Sequence, residues 1–246
     1  IPVAKEGVID REKEIQFTLI KMSEETGILL DGAQYQLYSV KKEEKDGQKE
    51  TRTLVAALCT GMYGEETKET SGKATCSLPY GTYVLKEIYP AQGYLLNEKE
   101  YRFVLDRNSV SYDEDGNGTY VLEVTDRPVM GKISLEKKGN ALTGYVEESQ
   151  SFVCDTEPVA GAVYGLYAQE DICRDDGQVV YAADTLIDQK TTDTSGKICF
   201  TRTDEAGKLT DRFYLGNYYV REISAPEGYV LDPEKYMVRL TWDGRA

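Results

Sequence analysis

The chain of 246 residues contains no histidine. That absence removes the commonest general base and the commonest metal ligand together. Its 5 cysteines, Cys59, Cys76, Cys154, Cys173 and Cys199, form no CxxC, so zinc and thioredoxin-like sites find little support. An odd count leaves at least one thiol unpaired within the chain. Cys59–Cys76 and Cys154–Cys173 are conceivable disulfides, and the plain alternative is small buried hydrophobes. No run approaches the roughly 18 apolar residues of a membrane helix, so no membrane insertion is expected of this stretch. No basic–apolar–small leader opens at Ile1, so a signal peptide is expected to have been removed or to lie upstream. Positive charge is scarce as well. Lys and Arg number 29 against 43 Asp and Glu, and the net charge of −14 repels nucleic acid and anionic membranes.

What is abundant is tyrosine: 19 Tyr against 5 Phe and 1 Trp. Tyr suits half-buried strands, ring inward and hydroxyl at water. Short alternating runs such as Ile15, Phe17, Leu19 and Tyr120, Leu122, Val124 are separated by turn signals at Asp46-Gly47, Asp115-Gly116 and Asp176-Gly177. The pattern predicts an all-β chain of sandwich type. VAALCTGM from Val55 could form a helical turn, and Lys41–Glu69 and Thr143–Pro158 read as long loops.

The chain repeats itself. GTYVLKEIYPAQGYLLNEKEYRFVL from Gly81 aligns without gaps with GNYYVREISAPEGYVLDPEKYMVRL from Gly216. Upstream, DGAQYQLY from Asp31 matches AGAVYGLY from Ala160, and TSGKATC from Thr70 matches TSGKICF from Thr194. Three blocks in one order mean two copies of one fold. The expected boundaries are a linker from a preceding domain over 1–14, a first sandwich over 15–129 and a second over 130–246. The first copy runs on through Tyr120 to Asp126, whereas the second ends soon after Leu240. The second sandwich is therefore expected to lack its last strand.

Side chains two apart on a strand share a face. Ile15, Phe17 and Leu19 thus lead to Lys21, and Ile133 and Leu135 lead to Lys137. Tyr83 and Leu85 lead to Glu87, and Tyr218 and Val220 lead to Glu222. Tyr120, Leu122 and Val124 lead to Asp126. Charges aimed at a core are expensive unless paired. Each could simply emerge at a strand end, or form an ordinary ion pair. The other reading is covalent. Burial favours the neutral forms of an amine and a carboxylic acid, and a neutral amine held against a carboxyl carbon can attack it. A neighbouring Glu would then move protons by general acid–base work.

The blocks GAxYxLY and GxYxLxExxxPxGY, with a Lys on the first strand and an Asn or Asp before a final xP, resemble Cna protein B-type domains. These include SpaA-type domains of Gram-positive pilins and adhesins. The resemblance spans roughly Ile15 to Arg127 and Ile133 to Leu240. It implies transthyretin-like, Ig-like β-sandwiches with an isopeptide bond between first and last strands. By position, Lys21 and Asp126 would be cross-linked with Glu87 assisting. Lys137 and Glu222 would be their equivalents in the second copy, with the acceptor for Lys137 missing. TDRP from Thr125 implies the Asp variant, which releases water.

The function expected is a stalk or shaft module of a bacterial surface adhesin or pilin, at the cell surface or wall. It would need no cofactor or metal and would perform no turnover. Its partners would be neighbouring domains of the same long protein. The alternative is a ligand-binding adhesin module that holds a host protein or glycan through its loops, with exposed aromatics clustered on one surface. A third idea is that an open second domain captures a complementary strand in trans. No LPxTG-like sorting signal and no convincing pilin lysine motif are found. Lys86, Lys132 and Lys138 fall on the opposite parity and read as solvated. Trp242 reads as a core or interface residue, and DEDGNG from Asp113 as a hairpin turn.

Overall fold

A computed structural model describes residues 14–42, 50–61 and 71–244. All of the expected 1–14 linker but Glu14, the Asp46-Gly47 turn and Thr70 lie outside the described residues. Every regular element among those described is a strand. The chain divides between Pro128 and Val129 into two compact units.

The first unit contains β1 (Ile15–Ser23), β2 (Gln34–Lys42), β3 (Glu50–Cys59) and β4 (Lys73–Leu78), followed by β5 (Gly81–Tyr89), β6 (Tyr101–Leu105), β7 (Ser111–Tyr112) and β8 (Gly118–Asp126). They build two four-stranded sheets, ordered β4-β1-β8-β7 and β3-β2-β5-β6. The first and last long strands, β1 and β8, lie side by side and parallel, with Ile15 opposite Gly118 and Ser23 opposite Asp126. Alternation explains the packing. Ile15, Phe17 and Leu19 are fully buried, while the residues between them are more open. Phe17 stacks on Phe103 at 5.1 Å, and Phe103 on Tyr120 at 5.2 Å, joining the two sheets through one aromatic stack.

The second unit runs β9 (Ser134–Glu136), β10 (Lys138–Val146), β11 (Ser151–Pro158), β12 (Val163–Ala168), β13 (Ile172–Cys173) and β14 (Val179–Tyr181). It continues with β15 (Leu186–Thr191), β16 (Lys197–Cys199), β17 (Arg202–Thr203), β18 (Leu209–Thr210), β19 (Gly216–Ser224) and β20 (Lys235–Leu240). Its main sheet, β15-β12-β19-β20, repeats the order of β3-β2-β5-β6. Opposite it, β9 pairs with β16 as β1 pairs with β4. Among the described residues no strand occupies the other edge of β9, the place that β8 takes beside β1.

The repeat accounts for much of the tyrosine. Tyr83 donates to the Pro79 carbonyl at 2.8 Å, and its counterpart Tyr218 donates to the Tyr214 carbonyl at 2.7 Å. A buried ring thereby keeps its hydroxyl satisfied at the same place in both copies.

Several expectations need correction. Val55 and its neighbours are not helical. They lie in β3, whose backbone is laddered to β2 with Ala56 opposite Leu37. Sheet pairing here overrides the helical propensity of Ala and Leu. The Lys41–Glu69 stretch is therefore not all loop. Thr143–Pro158 is mostly strand too, forming the hairpin β10–β11 with Tyr145 opposite Phe152. Those two rings sit 5.1 Å apart and are exposed. All five cysteines are free, and Cys154, Cys173 and Cys199 are exposed rather than buried. DEDGNG does form the hairpin between β7 and β8, with Asp113 Oδ1 accepting from the Asn117 amide at 2.7 Å and Gly116 at φ 80°. Lys86, Lys132 and Lys138 are exposed, and Trp242 is half-buried.

Candidate functional site

The inward stripe of β1 ends in Lys21, that of β5 in Glu87 and that of β8 in Asp126. All three are buried, with side chains at 0% exposure. Two of the strands are neighbours in one sheet, and β5 faces them from the other. The three polar ends therefore meet at one end of the core.

Lys21 Nζ lies in direct contact with Asp126 Oδ1 and 3.0 Å from Glu87 Oε1. Neither Nζ nor either Asp126 oxygen makes a hydrogen bond of ordinary geometry among the described residues. Glu87, by contrast, is fully held. Its Oε1 accepts from the Tyr35 hydroxyl at 2.7 Å, and its Oε2 accepts from the Asn97 backbone amide at 2.8 Å. Burial raises the Asp126 carboxyl to about 6. The adjacent Lys21 amine pulls it back down in part, and Glu87 adds an upward push. The Tyr35 hydroxyl is driven far above its usual range by burial first and then by the Glu87 charge, so it remains a donor. Its ring lies beside Lys21, with Nζ 5.4 Å from the centroid.

The peptide of Lys21 is fixed as well. Its N–H donates to the Gly72 carbonyl at 2.7 Å, and Lys137 N–H donates to the Gly196 carbonyl at 2.8 Å. Both glycines adopt left-handed φ, +68° and +72°. A Cβ would approach the lysine carbonyl oxygen to 2.9 Å at Gly72 and to 2.4 Å at Gly196. The repeated TSGK block thus clamps the lysine in each copy.

The second unit assembles a partial version. Lys137 Nζ lies 3.5 Å from Glu222 Oε1, and its side chain keeps 18% exposure. Glu222 Oε2 accepts from the Asp232 amide at 2.8 Å, as Glu87 accepts from Asn97. Burial presses the Lys137 amine downward, but the hydroxyl and charge of Tyr164 and the charge of Glu222 outweigh it. The amine is held above its ordinary range. Glu222 Oε1 is buried and accepts no hydrogen bond among the described residues.

All five residues singled out by strand parity are thus found at two sites: Lys21, Glu87 and Asp126 in one, Lys137 and Glu222 in the other. Sequence reasoning missed Tyr35, Tyr164 and Asn97. Tyr35 and Tyr164 were within reach, since each shares the inward parity of the repeated GAxYxLY block. Among the described residues no group of three or more His, Cys, Asp or Glu could hold a metal ion. No helix there is long and apolar enough to cross a membrane.

The family model of the SpaA prealbumin-like fold domain matches twice, over residues 15–119 and 153–246. A comparison with curated proteins gives no match. Among solved structures, the Bacillus anthracis TIE protein matches at TM-score 0.52 and 19% identity, over 95% of this chain. The chain spans 32% of that protein's chain, and at this identity the likeness concerns the fold alone. The shaft pilin spaA of Lactobacillus rhamnosus GG matches at TM-score 0.36 and 17% identity, over 93% of this chain and 94% of the other. The major pilin subunit BcpA of Bacillus cereus matches at TM-score 0.34 and 14% identity, over 93% and 96%.

Proposed function

This chain belongs to the SpaA family of prealbumin-like fold domains, and we propose that it is a structural stalk or shaft module of a Gram-positive surface protein. In this reading the first unit is locked by an amide between Lys21 and Asp126. The observation that carries the reading is the sealed contact of Lys21 Nζ with the Asp126 carboxyl, beside a Glu87 held on both oxygens.

The chemistry follows from that contact. A proton passing from the amine to Asp126 leaves both groups neutral without a net change in charge. The Nζ lone pair attacks Cγ of Asp126, an N–C bond forms and the C–OH bond breaks. Glu87 carries a proton from Nζ to the departing oxygen, which leaves as water. Contact in a rigid core supplies the proximity that makes such an intramolecular step fast. Each molecule reacts once, so this is maturation and not turnover.

The mechanical consequence comes from the parallel pairing of β1 and β8. Tension entering at the Ile15 end of β1 and leaving after Asp126 would run through Lys21, the amide and Asp126. Everything between those two residues would stand outside the loaded path. Neighbouring domains of the same surface protein are the partners this role requires.

The test is an intact-mass spectrum of the reduced, denatured chain. The expected result is a deficit of about 18 Da, one water, abolished by Lys21→Ala. A mass equal to that of the sequence overturns the cross-link and leaves a buried ion-pair cluster in its place.

A further inference from the structure

We infer that Asn97 is a positioning residue for the Lys21–Asp126 bond, holding the proton carrier through its backbone and the acceptor strand through its side chain. The inference rests on the cross-link reading above. Asn97 lies between β5 and β6, ten residues beyond Glu87, and its backbone N–H donates to Glu87 Oε2 at 2.8 Å. Its Nδ2 donates to the Thr125 carbonyl at 3.0 Å and to the Tyr101 hydroxyl at 3.0 Å. Its Oδ1 accepts from the Lys99 amide at 3.1 Å, which fixes the orientation of the side-chain amide.

The end of β8 is consequently held through three successive carbonyls. Thr125 accepts from Asn97 Nδ2, Asp126 accepts from the Glu24 amide at 2.8 Å, and Arg127 accepts from the Leu95 amide at 2.9 Å. Of these three donors, only Asn97 uses a side chain. A cleft of about 460 Å³ opens alongside, lined in part by Glu24, Asn97, Thr125 and Arg127. Beyond the pairing of Asp126 with Ser23 of β1, these three bonds hold the end of β8 beside that cleft. The reaction demands near-contact between Nζ and Cγ, and a misplacement of about 1 Å can cost on the order of 10²-fold in rate.

The second unit offers a natural contrast. Asp232 stands in the place of Asn97, and its backbone amide still serves Glu222 at 2.8 Å. Its carboxylate accepts from the Tyr236 hydroxyl and from the Glu234 amide. The hold on the glutamate is repeated, whereas the donor aimed at a neighbouring strand belongs to the unit that has β8.

The experiment follows newly synthesised full chain by intact mass over time and measures the folded fraction at each point by protease resistance. Asn97→Asp keeps the shape and the Lys99 contact but removes the donor. It is expected to slow water loss per folded molecule by about 10- to 100-fold. Tyr101→Phe, which leaves the Thr125 clip in place, is expected to react at the parent rate. Asn97→Ser serves as a second variant if Asn97→Asp folds poorly. A parent-like rate for the Asn97 variants overturns the inference while the parent's mass deficit keeps the cross-link standing. So does a slowing wholly matched by lost folded fraction. If the parent itself shows no deficit, both fall together.

Discussion

In the first unit the lysine that ends the opening strand is sealed from water, while in the second its counterpart, Lys137, retains 18% exposure. The two sites share their lysine, glutamate, tyrosine and clamping glycine. They differ in the neighbour on the far edge of the opening strand: β8 lies beside β1, and no described strand lies beside β9. The electrostatics follow the seal. At Asp126 burial outweighs the adjacent cation and the acid is raised to about 6. At Lys137 the charge partners outweigh burial, and the amine is stabilised as an ordinary cation. The first unit's lysine meets a buried acid supplied by β8, whereas the second unit's lysine has only its glutamate and tyrosine beside it among the described residues.

The largest expected effect separates the units by stability. A cross-link closing a loop of roughly 100 residues is worth about 4–5 kcal/mol on a chain-entropy estimate. Lys21→Ala should then lower the first unit's melting transition by on the order of 20 °C in calorimetry. Lys137→Ala should cost the second unit less than that, a few kcal/mol at most, since it strips the buried Glu222 of its cation but breaks no covalent link. Equal shifts in both transitions would erase the contrast.

Next in size is the effect of the proton-carrying role proposed for Glu87. Glu87→Gln should slow the appearance of the mass deficit by on the order of 10²-fold or more. Glu222→Gln should leave the mass history of the chain unchanged, and any change would mean that the second unit also reacts.

The pH dependence sharpens the same point. Above about 6 the dominant charged pair and the reactive neutral pair of Lys21 and Asp126 hold the same number of protons. The rate should therefore be flat there. Below about 6 Asp126 takes up a further proton from solvent, so the reactive form is depleted. The rate should fall about tenfold per unit, as for any single-proton equilibrium. A rate that rises on acidification, followed by mass spectrometry, would contradict this assignment.

The smallest effect concerns the thiols. Burial pushes Cys76 up to about 11, and burial, with Asp31 nearby, raises Cys59. Alkylation at mild alkaline pH should therefore label Cys154, Cys173 and Cys199 of the second unit well before the first unit's pair. Uniform labelling of all five would argue against the burial difference.

Much of this arrangement was legible in the residues. The alternation along Ile15, Phe17 and Leu19 placed Lys21 inward, and the same step placed Glu87 and Asp126, because a strand has a period of two. The helical turn at Val55 failed for the converse reason. Its Ala and Leu residues favour a helix, and only the ladder to β2 makes them a strand. Thr143–Pro158 was hidden as a hairpin because most of its side chains are exposed, leaving little inward stripe to read. Asn97 escaped as a site residue because it lies outside any strand, where no inward stripe points to it, and its side-chain bond to Thr125 joins positions 28 apart.

Local spacing alone carried the repeat, the all-β character and the inward face of Lys21, Glu87, Asp126, Lys137 and Glu222. The parallel pairing of β8 beside β1, which brings Asp126 as well as Glu87 onto Lys21, belongs to the assembled fold. Only the tertiary structure decided that the second unit leaves its lysine partly wet. Strand pairing across a hundred residues and the exclusion of water are properties of the assembled sandwich, and no local pattern carries them.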